Sequence, residues 1–294
     1  MFFNNRKKTL TKSEKTQRFA LIFCFVMVGV FVFLFEMQRI PEQNANEIRI
    51  HYIDVGQGNS VLVHSNNNAV LIDAGVVAAS SAVVAYIERL GITTLDYVVA
   101  THPHSDHIGG LPAVLDNFEV RELWMPDVVH DTNTFERLLD AVERNGVEIT
   151  TIMAGDTLSA GIIQMTAVAP NSNMYSNLND YSIVLHMSFG YTGFLFTGDA
   201  EALSENEMLA AGHFLQADIL QVAHHGSATS TTEAFLDAVM PFAAVIQSGA
   251  ENQFGHPHPS VISRLEERGI VILRNDEMGT IVLATDGLDI HLYD

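Results

Sequence analysis

From residue 48 onward the chain alternates between short apolar runs and segments whose apolar positions recur three or four apart. The runs at 48–54, 60–64, 69–73 and 95–100 predict strands, with a Gly56–Gly58 turn between the first two and Asn66-Asn67-Asn68 before the third. Residues 76–90 predict a helix ended by Gly91, residues 108–118 a second, and 134–145 a third stopped by Gly146, with a strand at 121–125 between the last two. The second half repeats the theme. Strands are predicted at 162–169, 182–189, 193–197 and 218–223, and helices at 202–211, 232–239 and 260–268, the last capped by Ser260. The tail, 280–285 and 288–292 around Asp286-Gly287, predicts a hairpin. Two successive strand-then-helix halves predict an α/β (α+β) protein, a four-layer αββα sandwich.

Residues 19–35 break this pattern, being apolar without interruption and close to the shortest length that spans a bilayer. Arg6, Lys7, Lys8, Lys12, Lys15 and Arg18 precede them, and Glu36, Glu42 and Glu47 follow. The positive-inside rule therefore predicts a cytoplasmic basic tail at 1–18, a single transmembrane helix at 19–35, a linker at 36–47 and an extracytoplasmic domain at 48–294. Residues 36–40 lack the small side chains of a signal-peptidase site, and Phe23 before Cys24 disfavours a lipoprotein site, so the anchor is expected to stay uncleaved.

Charge is segregated. Beyond residue 18 the chain carries 9 basic against 34 acidic groups, from totals of 15 and 35, a formal −25. No lysine follows Lys15. Such a surface repels polyanions at long range. The single cysteine excludes a disulfide framework and a multi-thiolate metal site.

The densest chemistry lies at Thr101-His102-Pro103-His104-Ser105-Asp106-His107-Ile108-Gly109-Gly110-Leu111, between a buried strand and a helix. In an extended backbone His102 and His104 point to the same side. Asp106 and His107 begin the helix and can face elsewhere. One segment can thus serve two metal ions, an arrangement that polarises a substrate and activates a water. His224 and His225 end the 218–223 run. Alternation would turn them opposite ways, leaving one as a ligand, and His225 is favoured because it adjoins Gly226-Ser227. His51, His64, His186, His213 and His291 sit within predicted elements and are expected to be structural.

These motifs resemble the metallo-β-lactamase superfamily. Asp54-Val55-Gly56-Gln57-Gly58-Asn59-Ser60, Leu71-Ile72-Asp73-Ala74-Gly75, Phe196-Thr197-Gly198-Asp199 and His224-His225-Gly226-Ser227 occur in that family's order. With residues 252–257 they look like the metallo-hydrolase domain of ComEC-type DNA-uptake competence proteins. The resemblance implies His102 and His104 on one ion, Asp106 and His107 on the other, and Asp199 bridging both rather than capping the next helix. It implies that Asp73 orients the ligating histidines. Many members carry a further histidine on the first ion. Leu178 stands at that position, flanked by Asn177, Asn179 and Asp180, so Asp180 and His224 become candidate ligands or supports. An oxygen-enriched first site suits manganese as well as zinc. His256, in the Asn-to-His-Pro element, is a candidate general acid or phosphate donor. Ser227 and Asn252 are candidate substrate contacts, and Asp106 a candidate to orient the nucleophile.

The expected activity is metal-dependent hydrolysis with two divalent ions, zinc or manganese. The competence-type motifs favour a phosphodiester, DNA in particular, while the −25 charge opposes it. Hydrolysis of a small ester, thioester, lactone or β-lactam is the alternative, since fold does not choose among these. The nearly complete ligand set disfavours a non-catalytic binding domain. No partner protein can be inferred.

Overall fold

Alternate residues of several central strands face two different cores, which is why runs such as 69–72 and 193–196 are apolar throughout rather than amphipathic. The computed structural model describes residues 46–293. The first half contains β1 (Ile48–Tyr52), β2 (Val61–Ser65), β3 (Asn68–Ile72), β4 (Thr94–Leu95), β5 (Tyr97–Val99), β6 (Glu119–Val120), β7 (Glu122–Met125) and β8 (Glu148–Thr151). Then follow β9 (Thr157–Ala160), β10 (Ile163–Ala169), β11 (Val184–Phe189), β12 (Thr192–Phe196), β13 (Ile219–Gln221), β14 (Ala243–Ile246), β15 (Val271–Arg274), β16 (Ile281–Thr285) and β17 (Ile290–Tyr293).

Of the two large sheets one has eight strands in the order β17-β16-β1-β2-β3-β5-β7-β8 and the other seven in the order β15-β14-β13-β12-β11-β10-β9, while β4 and β6 pair by themselves. Ile48, Ile50 and Tyr52 of β1 meet Met165, Leu185, Phe194 and Phe196 of the second sheet in one core between the sheets. The opposite face of the first sheet, including Leu62, Leu71, Val98 and Leu123, packs on α1 (Ser80–Arg89), α3 (Leu111–Asn117) and α4 (Asn133–Asn145) through Val83, Ile87, Leu111, Val114 and Leu138. The short α2 (Ser105–Ile108) lies between α1 and α3 in the chain. Leu195, Leu220, Ala244 and Ile246 cover the outer face of the second sheet. They pack on α5 (Ala202–Ala211), α6 (Glu233–Val239) and α7 (Pro259–Glu267) through Met208, Phe235, Leu236, Val261 and Leu265. The layers run helix, sheet, sheet, helix, as the pattern predicted.

At one rim the sheets are tied by polar side chains. Gln221 Nε2 donates to Gln247 Oε1 at 2.8 Å, and Gln247 Nε2 donates to the carbonyls of Ile53 (3.2 Å) and Ser60 (3.0 Å). A buried amide left without partners would be costly, so this seam is specific.

Some expectations are corrected. The strand predicted at 218–223 ends at Gln221, and Ala223–Gly226 is a 3₁₀ turn. Helix α7 is capped by the His258 side chain, which accepts from Ser260 N, with Pro259 in its first turn. Ser260 is therefore inside the helix. Strands β6, β8, β9, β14 and β15 were not predicted. The basic tail at 1–18, the transmembrane helix at 19–35 and almost all of the linker at 36–47 lie outside the described residues. Among those described, no helix is long and apolar enough to cross a membrane.

Candidate metal centre

The histidine turn is held by its neighbours before any ligand is considered. Thr101, just past β5, donates its N–H to Asp73 Oδ1 (2.9 Å) and its hydroxyl to Asp73 Oδ2 (2.7 Å). The chain then turns through α2 and passes close to the end of β3. A Cβ on Gly110 would lie 2.2 Å from the Ala74 carbonyl, so only glycine lets the two backbones approach. From the other side Asn59 N donates to the Asp106 carbonyl at 3.1 Å. Gly58 is needed there, because its φ is +144° and a Cβ would lie 2.4 Å from the same oxygen. The glycines of the Asp54–Ser60 and 109–110 motifs thus fix where the ligand-bearing turn sits.

Asp199 Oδ2 is the point on which the imidazoles converge. His107 Nε2 is 3.2 Å from it, His225 Nε2 3.6 Å, His102 Nε2 3.7 Å and His224 Nε2 3.8 Å. His104 Nδ1 lies 2.9 Å from His102 Nε2, and Asp106 Oδ2 lies 3.2 Å from His225 Nε2. Donor atoms of His102, His107 and Asp199 fall within 4.8 Å of one another, as do those of Asp106, His107 and His225. Helix α5 takes Glu201 as its N-cap residue, so Asp199 is not a cap.

The supporting contacts set the tautomers. His107 Nδ1 donates to Asp73 Oδ2 at 2.7 Å, and His225 Nδ1 donates to the Gln247 carbonyl at 2.9 Å. In the neutral ring each leaves an Nε2 lone pair facing the centre, as a metal-ligating imidazole requires. His107 Nε2, His225 Nε2 and Asp199 Oδ1 are buried without hydrogen-bond partners. Orphaned buried donors of this kind, borne by imidazole and carboxylate, fit divalent cations.

The electrostatics agree. Burial pushes His107 down, but the Asp199 and Asp73 carboxylates outweigh it and hold its pKa well above the usual imidazole value. Burial likewise opposes His225, which Asp199 and Asp106 raise. Burial would raise Asp199, yet His107, His225 and His102 hold it well below the carboxylate range. Burial, then the neighbouring His107, lowers His102. The carboxylates thus demand positive charge at a buried point, a demand that a cation meets.

The other expected residues divide. Asp73 is where a supporting carboxylate should be. Both His224 and His225 turn toward Asp199 Oδ2, which corrects the expectation that they would diverge. They do so because both adopt left-handed backbone, with φ of +51° and +56°, instead of continuing the strand. Asp180 is directed elsewhere, its Oδ1 accepting from Ser204 N at 3.3 Å near the start of α5. The Ser227 hydroxyl pairs with Thr229 Oγ1 (2.9 Å) and accepts from Thr229 N, contacts that build the turn. Asn252 donates to the carbonyls of Gly249 (2.8 Å) and His256 (2.5 Å) and accepts from Phe254 N and His256 N. Its amide holds the loop that carries His256. The His256 ring centroid is 5.5 Å from that of His224 and 6.4 Å from that of His225. Burial and those two histidines lower its pKa to about 4, so at pH 7 it is neutral and not a charged acid.

Sequence reasoning missed three neighbours. His130 lies with its ring 5.9 Å from that of His104, Glu201 Oε1 lies 3.1 Å from His224 Nδ1, and Gln247 orients His225. Glu201 was legible only as an acid two residues after Asp199. The histidines expected to be structural include His186, whose Nε2 bonds the Gln216 carbonyl, and His213, bonded to Asn171.

Comparison with known proteins places this geometry. ComE operon protein 3 of Bacillus subtilis is 31% identical over 255 residues, 81% of this chain and 33% of that protein. Competence protein ComA of Neisseria gonorrhoeae is 31% identical over 252 residues, 83% of this chain and 33% of that one. The chain thus spans about a third of the length of these relatives. Among solved structures, CmlA, a diiron beta-hydroxylase from Streptomyces venezuelae, superposes with a TM-score of 0.53 at 14% identity. The match covers 80% of this chain and 53% of CmlA, a likeness of fold. Residues 53–249 match the family model described as the metallo-beta-lactamase superfamily. With its histidines and carboxylates gathered on Asp199 at the rim of an αββα sandwich, the chain belongs to the metallo-beta-lactamase superfamily of metal-dependent hydrolases.

Proposed function

We propose that the chain is a phosphodiesterase acting on DNA outside the cytoplasm. Two divalent ions, zinc or manganese, are held by His102, His104, Asp106, His107, Asp199 and His225. The observation that carries the reading is the convergence of four imidazoles on the buried Asp199 Oδ2. The similarity to a competence protein points to the substrate. Held there, the ions supply Lewis acidity and activate a water.

The chain's own residues do the rest. Asp73 and the Gln247 carbonyl keep His107 and His225 in the ligating tautomer. Asp106, more exposed than Asp199, orients the attacking water. His256, neutral and beside His224 and His225, donates a hydrogen bond to a non-bridging oxygen of the substrate. The −25 surface slows approach of a polyanion, and the ions and rim histidines offset it locally.

The second reading, hydrolysis of a small ester, thioester, lactone or β-lactam, is favoured by that same acidic surface. The test is direct. Full-length protein loaded with manganese or zinc is offered single-stranded DNA, bis-p-nitrophenyl phosphate and a chromogenic cephalosporin side by side. Cleavage of the first two is expected; cleavage of the lactam alone overturns the proposal.

Residues 1–18, 19–35, 36–47 and 48–294 form, in this reading, a cytoplasmic tail, an anchor, a linker and the hydrolase domain. Six cations before an unbroken apolar stretch support this order. Release of the full-length protein from membranes by alkaline carbonate overturns the anchor.

A further inference from the structure

We infer that His224 supplies the third protein nitrogen of the first metal ion, in place of the histidine that position 178 lacks, and that Glu201 holds it in the ligating tautomer. The inference rests on the two-ion reading above.

Three observations carry it. The first is orientation. His224 Nε2 lies 3.8 Å from Asp199 Oδ2, a separation close to those of His102 (3.7 Å) and His225 (3.6 Å). Two ligand atoms about 2.1 Å from one ion can lie this far apart.

The second is support. His224 Nδ1 lies 3.1 Å from Glu201 Oε1, which also accepts from Asn179 Nδ2 at 2.9 Å. A carboxylate can only accept here, so Nδ1 carries the proton and Nε2 keeps its lone pair. The pairing repeats that of Asp73 with His107.

The third is place. Asn179 Nδ2 is 3.5 Å from His224 Nδ1, and Asn179 adjoins Leu178. The ring therefore sits against the turn from which the missing histidine would have come. The oxygens beside the gap do not replace it equally well. Asn177 Oδ1 accepts from Asn179 N, and Asp180 Oδ1 accepts from Ser204 N. The backbone adds weight: His224 and His225 are successive non-glycine residues in left-handed conformation. Such strain persists where surroundings over-determine it, here by His224 N to the Gly198 carbonyl (3.1 Å) and Ser227 N to the His224 carbonyl (2.8 Å). The strained pair turns both imidazoles to the same carboxylate.

Asn179 is the competing ligand, because its Oδ1 is buried without a partner. Manganese binding by the full-length chain separates the two. It is followed by calorimetry and elemental analysis, with circular dichroism as the fold control. Wild type is expected to bind two ions per chain. His224→Ala is expected to bind one at wild-type affinity and lose the other. Glu201→Gln leaves the ring in place and serves even if His224→Ala misfolds. It is expected to retain two ions, one bound about 10-fold more weakly. Two ions at wild-type affinities in both variants overturn the His224 assignment alone. So does loss of one ion in Asn179→Ala with both kept in His224→Ala. A wild-type chain that binds no ion overturns this inference together with the two-ion reading.

Discussion

Asp73 Oδ2 lies 2.7 Å from His107 Nδ1 and 2.7 Å from Thr101 Oγ1, so one carboxylate fixes both the ligand and the residue that starts its turn. Asp73→Asn removes the charge while keeping the shape. Metal affinity is expected to fall about 10- to 100-fold, since partners of ligating histidines tune both orientation and basicity. Calorimetric titration of manganese into the two proteins checks it.

Asp199 is the attractive influence that most raises His107 and His225. Asp199→Asn is therefore expected to lower the pKa of both imidazoles in the metal-free chain, because burial then acts against fewer opposing charges. The same variant is expected to bind fewer than two ions. Proton NMR of the histidine ring signals across pH reads the first effect, and elemental analysis the second. Unchanged histidine titration would contradict the convergence on Oδ2.

Gly110→Ala is expected to destabilise the domain by about 1–3 kcal/mol, the usual range for overpacking. The added Cβ meets the Ala74 backbone carbonyl at 2.2 Å, which cannot rotate away. Thermal unfolding of the metal-free protein measures the cost. A melting temperature equal to wild type would mean that the turn has room the geometry denies.

Away from the centre, a buried histidine pair predicts acid sensitivity. His64 Nε2 and His51 Nε2 are 2.8 Å apart, and His51 Nδ1 is 2.7 Å from Tyr86 Oη. One imidazole must accept from the other, so protonating both removes the bond. Burial and Arg49 lower His64 to about 4, and burial and His64 lower His51 well below 6.5. Above pH 6.5 neither folded nor unfolded chain holds these protons, and the stabilisation is complete. As pH falls from 6.5 toward 4 the unfolded chain takes up protons first, and stability is lost. For His64 alone the loss between pH 7 and 5 is about 2 kcal/mol. Urea unfolding at both pH values, beside a His51→Gln/His64→Gln variant with a flatter response, checks it.

The layered fold was legible because its central strands are buried on both faces. Runs such as 69–72 and 193–196 have no reason to be continuously apolar unless two cores sandwich them. The H-x-H-x-D-H turn was legible because its ligands are local. Strands β8 and β9 escaped notice for the opposite reason. Glu148, Ile149 and Thr151 are exposed at the edge of the first sheet, so no apolar run marks them. The partnership of His224 with Glu201 was hidden, because no pattern announces two successive left-handed residues without glycine. Asn252 and Ser227 looked like substrate contacts from their motifs. Their side chains complete the turns that carry His256 and His224, a role that shows in hydrogen-bond partners and not in residue types.

Gln247, through the carbonyls of Ile53 and Ser60, joins two sheets whose contributions to the centre are unequal: His102 to His107 come from the first, Asp199 and His225 from the second. A cation shared across that boundary is a crosslink added to the core contacts and the few backbone bonds, such as Ile183 N to the Thr101 carbonyl (3.0 Å), that already join the halves. Loading the site should therefore do more than enable chemistry. It rivets the sandwich shut, so that the chain is expected to gain its full resistance to unfolding and proteolysis only with the ions bound.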